Sequence, residues 1–235
     1  MRISPAVFSL TTLLVSAASF LPMTAAAQGV IVDQGRFEVS YNGQSAGTED
    51  FSIRRAGIGP EDAIFANATV SLSRAGGTQE IRPLLRATAE GGVAIEYQIE
   101  VVGPDALELG LRRVMRRYVA TIRSGSGEEQ REFPATMDTR ILEPDVAHLY
   151  YFLRETAAGS VTPVIEPRSR TRLQLTTGTP VDEEIMVGST TVAARRVEYT
   201  AGEDSRWVWF DSLGRVLRVE VPATGYVAER TDVLR

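Results

Sequence analysis

Apolar and polar residues alternate along much of the chain. Phe37, Val39 and Tyr41 share one face of residues 36–41, the period of a half-buried strand. Asn42 and Gly43 follow, a pair that tolerates positive φ in a hairpin turn. Residues 47–54 return with Phe51 and Ile53 inward. Residues 64–73, 79–89 and 93–102 repeat the pattern between Gly-rich turns, which predicts an antiparallel meander. Residues 107–123 fit two templates. Leu107, Leu111, Val114, Met115, Tyr118, Val119 and Ile122 form a helical stripe, whereas Leu107, Leu109 and Leu111, then Tyr118, Ala120 and Ile122, form strands. The turn residues at 124–127 favour strands.

One helix is predicted near residues 145–156. Pro144 suits a first helical turn, and Asp145 places negative charge at the positive end of the helix dipole. Val146, Leu149, Tyr150 and Leu153 keep the spacing of one helical face. Ala147, Tyr151 and Phe152 occupy the other side, so the helix needs contacts all round, and a concave sheet wrapped over it supplies them. Residues 171–177, 184–187, 191–200, 206–210, 215–221 and 226–231 are strand candidates, and the turn 211–214 ends in Gly214.

The first 27 residues break this pattern. Arg2 precedes an apolar stretch from Ala6 to Leu21, and Ala25, Ala26 and Ala27 offer small residues before Gln28. That order marks a cleavable secretory signal. No later stretch is apolar enough for a span of about 20 residues. The expectation is a cleaved signal over 1–27 and a single soluble domain over 28–235, periplasmic or secreted. The chain has no Cys, so packing must hold it together without disulfides. All 25 basic residues are Arg and the net charge is −5, a poor basis for binding nucleic acid.

Candidate chemistry is sparse. His148 is the single His. It lacks the further ligands that zinc needs and the Gly-x-Ser-x-Gly setting of a hydrolase triad, so it reads as a hydrogen-bonding helix residue. The runs Glu128-Glu129 and Asp182-Glu183-Glu184 read as solvated loop charge. Arg112, Arg113, Arg116 and Arg117 would form one cationic face on a helix, suited to an anionic lipid surface. On strands they divide between two faces, and a coherent patch needs curvature. Trp207 and Trp209 share one strand face, with Phe210 opposite. No catalytic residue, metal site or cofactor is assigned.

The run from Trp207 to Pro222 resembles the ending of exported bacterial proteins of unknown function: aromatic, Asp, turn, Gly, Arg, apolar, Pro. Phe37, Tyr41, Asn42, Gly43, Gly47, Thr48 and Glu49 resemble their first hairpin, and residues 147–153 their central helix. These families are similar in fold to the outer-membrane lipoprotein carriers, although this chain shows one helix where the carriers have more. The resemblance implies a mainly β protein: an antiparallel curved sheet, half-barrel or barrel-like, packed around one short central helix. A curved sheet around an aromatic-rich helix can leave an apolar cavity at its mouth, so the expected function is binding of a lipid or other apolar ligand there, with His148, Tyr151, Phe152, Trp207 and Trp209 as the candidate lining residues. The alternative is a non-catalytic scaffold whose partner is another envelope protein.

Overall fold

The structure, a computed structural model, describes residues 29–74 and 76–232; the expected export signal lies outside the described residues. Eight strands come first: β1 (Val30–Tyr41), β2 (Gln44–Ala56), β3 (Ala63–Arg74), β4 (Gly77–Thr88), β5 (Ala94–Val102), β6 (Leu107–Val114), β7 (Arg117–Ser124) and β8 (Gly127–Pro134). Each pairs antiparallel with the next. The 107–123 region is therefore two strands, and Leu109, Leu111, Tyr118, Ala120 and Ile122 all face the core. The chain then runs through β9 (Arg140–Ile141) and a 3-10 helix (His148–Leu153). It continues as β10 (Val161–Glu166), β11 (Thr171–Thr177), β12 (Val181–Val187), β13 (Thr190–Ala201), β14 (Asp204–Phe210), β15 (Val216–Val221) and β16 (Tyr226–Arg230).

The last strand joins the first. β16 pairs with β1 from Phe37↔Arg230 to Tyr41↔Tyr226. The 16 strands of the described residues thus form one sheet, from β8 at one edge to β9 at the other, with β12 added beside β13. Among the described strands only β9 and β10 are parallel. Local chemistry sets the turns and bends. Asn42 and Gly43 take φ of 48° and 76°, as a two-residue hairpin with the strands' own twist requires. The β3–β4 register runs to Asn67↔Leu84 and resumes at Val70↔Ile81. Pro83 lies in that break, because it brings no N–H to the ladder.

Inner-face side chains from both halves of the sheet belong to a single apolar core, which shows that the sheet curves round on itself. Residues 141–153 fill the space within. Ile141, Leu142, Val146, Leu149 and Leu153 are all buried there. We call this segment the plug. One side-chain pair links the β8 edge to the other half of the sheet: Arg170, in the turn after β10, holds Glu129 of β8 at 3.1 Å. Glu128, Arg131, Glu132 and Pro134 also line β8, the residue types that discourage further strand pairing.

The expected helix over 145–156 is corrected in kind and extent. Asp145 adopts φ of 71°, so Pro144 does not open a helix. The turn is 3-10, with Tyr150 N–H bonding Ala147 C=O and Arg154 N–H bonding Tyr151 C=O. The expectation of contacts all round holds: all six residues from His148 to Leu153 are buried. Short 3-10 turns suit a segment whose backbone is held by outside groups, and here the outside group is a carboxylate. Among the described residues no helix is long and apolar enough to cross a membrane.

Candidate functional site

That carboxylate is Glu49, on the inward face of β2. One oxygen accepts the Ala147 N–H at 2.6 Å. The other accepts the His148 N–H at 3.0 Å and lies 2.6 Å from His148 Nδ1. Glu49 and His148 are fully buried. The Glu49 carboxylate can only accept, so Nδ1 carries the proton and, in neutral His148, Nε2 is bare. Nε2 is buried with no hydrogen-bond partner, and the ring stacks on Phe51 at 5.9 Å. A carboxylate behind a His is half of a general-base arrangement; among the described residues no hydroxyl reaches Nε2, and the hydrogen bonds of the pair fasten the plug to β2. Among the described residues no cluster of three or more His, Cys, Asp or Glu is placed to hold a metal ion.

A second polar group holds the plug's entry. Glu143 accepts the Arg168 N–H at 3.1 Å and Arg168 Nε at 3.3 Å. Arg168 also donates to the Pro144 carbonyl at 2.5 Å and to Asp145 at 3.3 Å. Asp145 accepts from Tyr41 and, at 2.9 Å, from Arg74. Burial pushes the Glu143 carboxyl up to about 7, against the pull of Arg168 and with a further push from Glu166. Glu143 therefore keeps its proton on folding in a range where the unfolded chain has lost it. Its contribution to stability is full below the ordinary value of 4.5 and is lost as pH rises through about 7. Over that window the loss amounts to about 3 kcal/mol. In urea titrations across it, Glu143→Gln is expected to show a visibly flatter fall in stability with pH than the unaltered chain; equal slopes would refute the assignment.

Further round the sheet, Arg230 clamps Asp33 through both guanidinium nitrogens at 2.9 and 3.0 Å, with each side chain almost fully buried. Burial raises the Asp33 carboxyl above its ordinary value, with Arg230 opposing. The guanidinium also donates to the Gln34 carbonyl at 2.6 Å.

The five residues expected to border one cavity fall in two places. His148, Tyr151 and Phe152 sit on the plug, under the sheet. Trp207 and Trp209 lie on the opposite face of β14 from Val208 and Phe210, in a small separate cluster with Val187, Ala194 and Leu217. Trp209 donates to Glu183 and lies under Arg218, 5.2 Å from ring to guanidinium. The acidic runs are also placed differently from expectation. Asp182, Glu183 and Glu184 are on β12, and Glu128 and Glu129 are on β8; Glu183 pairs across the strands with Arg196 and Glu128 with Arg123, while Glu129 binds Arg131 and Arg170. They are strand residues, since the charged outer face of a twisted sheet reads like a loop in sequence.

A groove that the sequence reading missed crosses the outer face of β4–β8. Its volume is about 830 Å³. Leu84, Gln98, Gly110, Thr121 and Gln130 form its floor as one continuous cross-strand row. Gly110 has open space where a Cβ would stand. Glycine inside a regular strand often marks a close approach by another chain. The walls carry three Arg (Arg82, Arg112, Arg123) and three Glu (Glu96, Glu100, Glu108), so the lining is neutral overall. Arg82 is held by Glu100 at 2.9 Å and Arg123 by Glu128 at 2.8 Å.

No family model matches the chain, and no curated protein does. Among solved structures it is similar to a crystal structure of a β-barrel-like protein of domain of unknown function DUF1849 from Brucella abortus. The identity is 8% and the TM-score 0.48, over 84% of this chain and 93% of that one.

Proposed function

We propose that the chain is exported to the periplasm and works there without catalysis, as an interaction module that holds an extended segment of a partner protein in the β4–β8 groove. The observation that carries this reading is the contrast between the two faces of the sheet. Inside, the plug occupies the space a ligand would take, and Glu49 fastens it there. An apolar ligand in the concavity would have to displace residues 141–153 and strand three donors on Glu49. Outside, the groove offers amide and hydroxyl groups over a floor notched at Gly110. No aromatic ring lines it, which disfavours a sugar, since stacking platforms are missing. Charges of both signs on the walls suit a polypeptide. The export part of the proposal is supported by the signal-like residues 1–27.

The test is Gly110→Trp, which fills the notch without touching the core. Capture of a partner from envelope extract is expected to fall at least tenfold, with the urea midpoint unchanged. Native mass spectra of the purified chain are expected to show no retained lipid. A lipid adduct that persists in Gly110→Trp, with partner capture intact, would overturn the reading.

A further inference from the structure

The direction of each strand decides where the turns lie. Antiparallel pairing puts the β2–β3, β6–β7, β12–β13 and β14–β15 turns, and the segment leaving β8, at one end of the sheet. The opposite end carries the polar turns at Asn42-Gly43, 103–106, 125–126 and 202–203. The most exposed apolar residues are at the first end, whereas the less exposed Leu84, Val102, Val161 and Val181 lie elsewhere on the sheet. Ile58 is 89% exposed, Met115 90%, Met137 70% and Leu213 72%. Met186 and Val114 are exposed there too. Each stands in or next to a turn, on a different part of the rim.

The arginine run noted in the sequence lies at the same end. Arg112 and Arg117 point to the outer face, Arg113 to the inner rim, and Arg116 sits in the turn beside Met115, whose φ is 53°. The hairpin end thus gathers residues of both faces into one cationic corner around Met115. Arg117 is paired with Glu132. Arg113 reaches the sulfur of Met137 at 3.5 Å. Among the described residues, no acid pairs with Arg112, Arg113 or Arg116; Glu96, opposite Arg112, accepts from Gln98 instead. Other acids at this end, Asp62 and Asp211, are bound to Arg55 and Arg215, while Glu61 and Glu90 lie on neighbouring turns and Asp138 acts on Arg140.

We propose that this end of the sheet is a membrane-contacting surface, which seats on an anionic bilayer with the Arg112–Arg116 corner deepest. Separate apolar tips have little shape to offer a folded partner. A bilayer yields to each tip, and the guanidinium groups around Met115 lie at headgroup depth when its side chain enters the acyl boundary. Free arginines there add attraction to anionic lipid. The corner and the groove are distinct surfaces that share one residue, Arg112, which stands on the groove wall.

The test uses the full chain with vesicles of equimolar phosphatidylcholine and phosphatidylglycerol, and of phosphatidylcholine alone. The variants are Arg112→Gln with Arg113→Gln and Arg116→Gln, and Ile58→Ser with Met115→Ser and Leu213→Ser. All six positions are at the surface, so urea midpoints check that folding is kept. The arginine variant is expected to lose about a hundredfold in binding to anionic vesicles, the apolar variant about tenfold or more. Because the chain has no Cys, Met115→Cys takes a single polarity-sensitive label, whose emission is expected to shift blue on anionic vesicles. Gly110→Trp is expected to bind vesicles normally. Unchanged binding in both variants with no blue shift would overturn the proposal. So would equal binding to soluble polyglutamate with a silent label, which would make the corner a site for acidic protein.

Discussion

Glu49→Ala is expected to destabilise the fold by about 3–5 kcal/mol, measured by urea unfolding at neutral pH. The substitution leaves the Ala147 and His148 N–H groups and His148 Nδ1 without an acceptor in a fully buried setting. Each stranded donor costs about 1–3 kcal/mol, partly relieved by local rearrangement of the plug. Glu49→Gln keeps one acceptor oxygen but turns an amide N–H toward one donor, so its loss is smaller. His148→Phe removes only one donor and keeps the stacking on Phe51, and is expected to lose least. A Glu49→Ala effect below about 1 kcal/mol would mean that the plug is held by its apolar contacts alone.

Arg230→Met ranks with it, at about 3–5 kcal/mol, because it leaves Asp33 buried without its partner. The Gln34 carbonyl loses its donor as well. Replacing both, Asp33→Leu with Arg230→Met, removes the buried charge along with the vacancy. Most of the stability is then expected to return, as for other buried pairs exchanged for apolar groups. A double variant as unstable as the single one would show that Arg230 acts through its backbone partners and not through Asp33.

Much of the fold was legible in the alternation of residues. The β1–β2 hairpin was readable because Asn42 and Gly43 separate two runs with inward Phe37, Val39, Phe51 and Ile53. The C-terminal strands were readable for the same reason, most within two residues of the structure. The plug was visible as an apolar segment needing contacts on every side, but not as a 3-10 turn. Its form depends on Glu49, nearly a hundred residues away. A signal for Glu49 was present: it shares a face with Phe51 and Ile53, so a carboxylate stood on an inward row. Gly110 carried a similar sign in the outward row between Glu108 and Arg112. Separate strands contribute the rest of the groove, and only the register aligns them. The two tryptophans were legible as a pair on one strand face, but not as members of a cluster separate from the main core. A strand has two apolar faces here, and spacing alone does not say which of them holds the main core.

The pairing of β1 with β16 also governs when this protein can become native. Asp33 and Arg230 are 197 residues apart in the chain, and the open side of β1 has no ladder until β16 arrives. At synthesis rates of about 5–20 residues per second, that wait is on the order of 10–40 s. The first hairpins can form early, but the two halves of the sheet cannot close over the plug before the final strand is made. A chain assembled in this order keeps one side of β1 open until β16 is available.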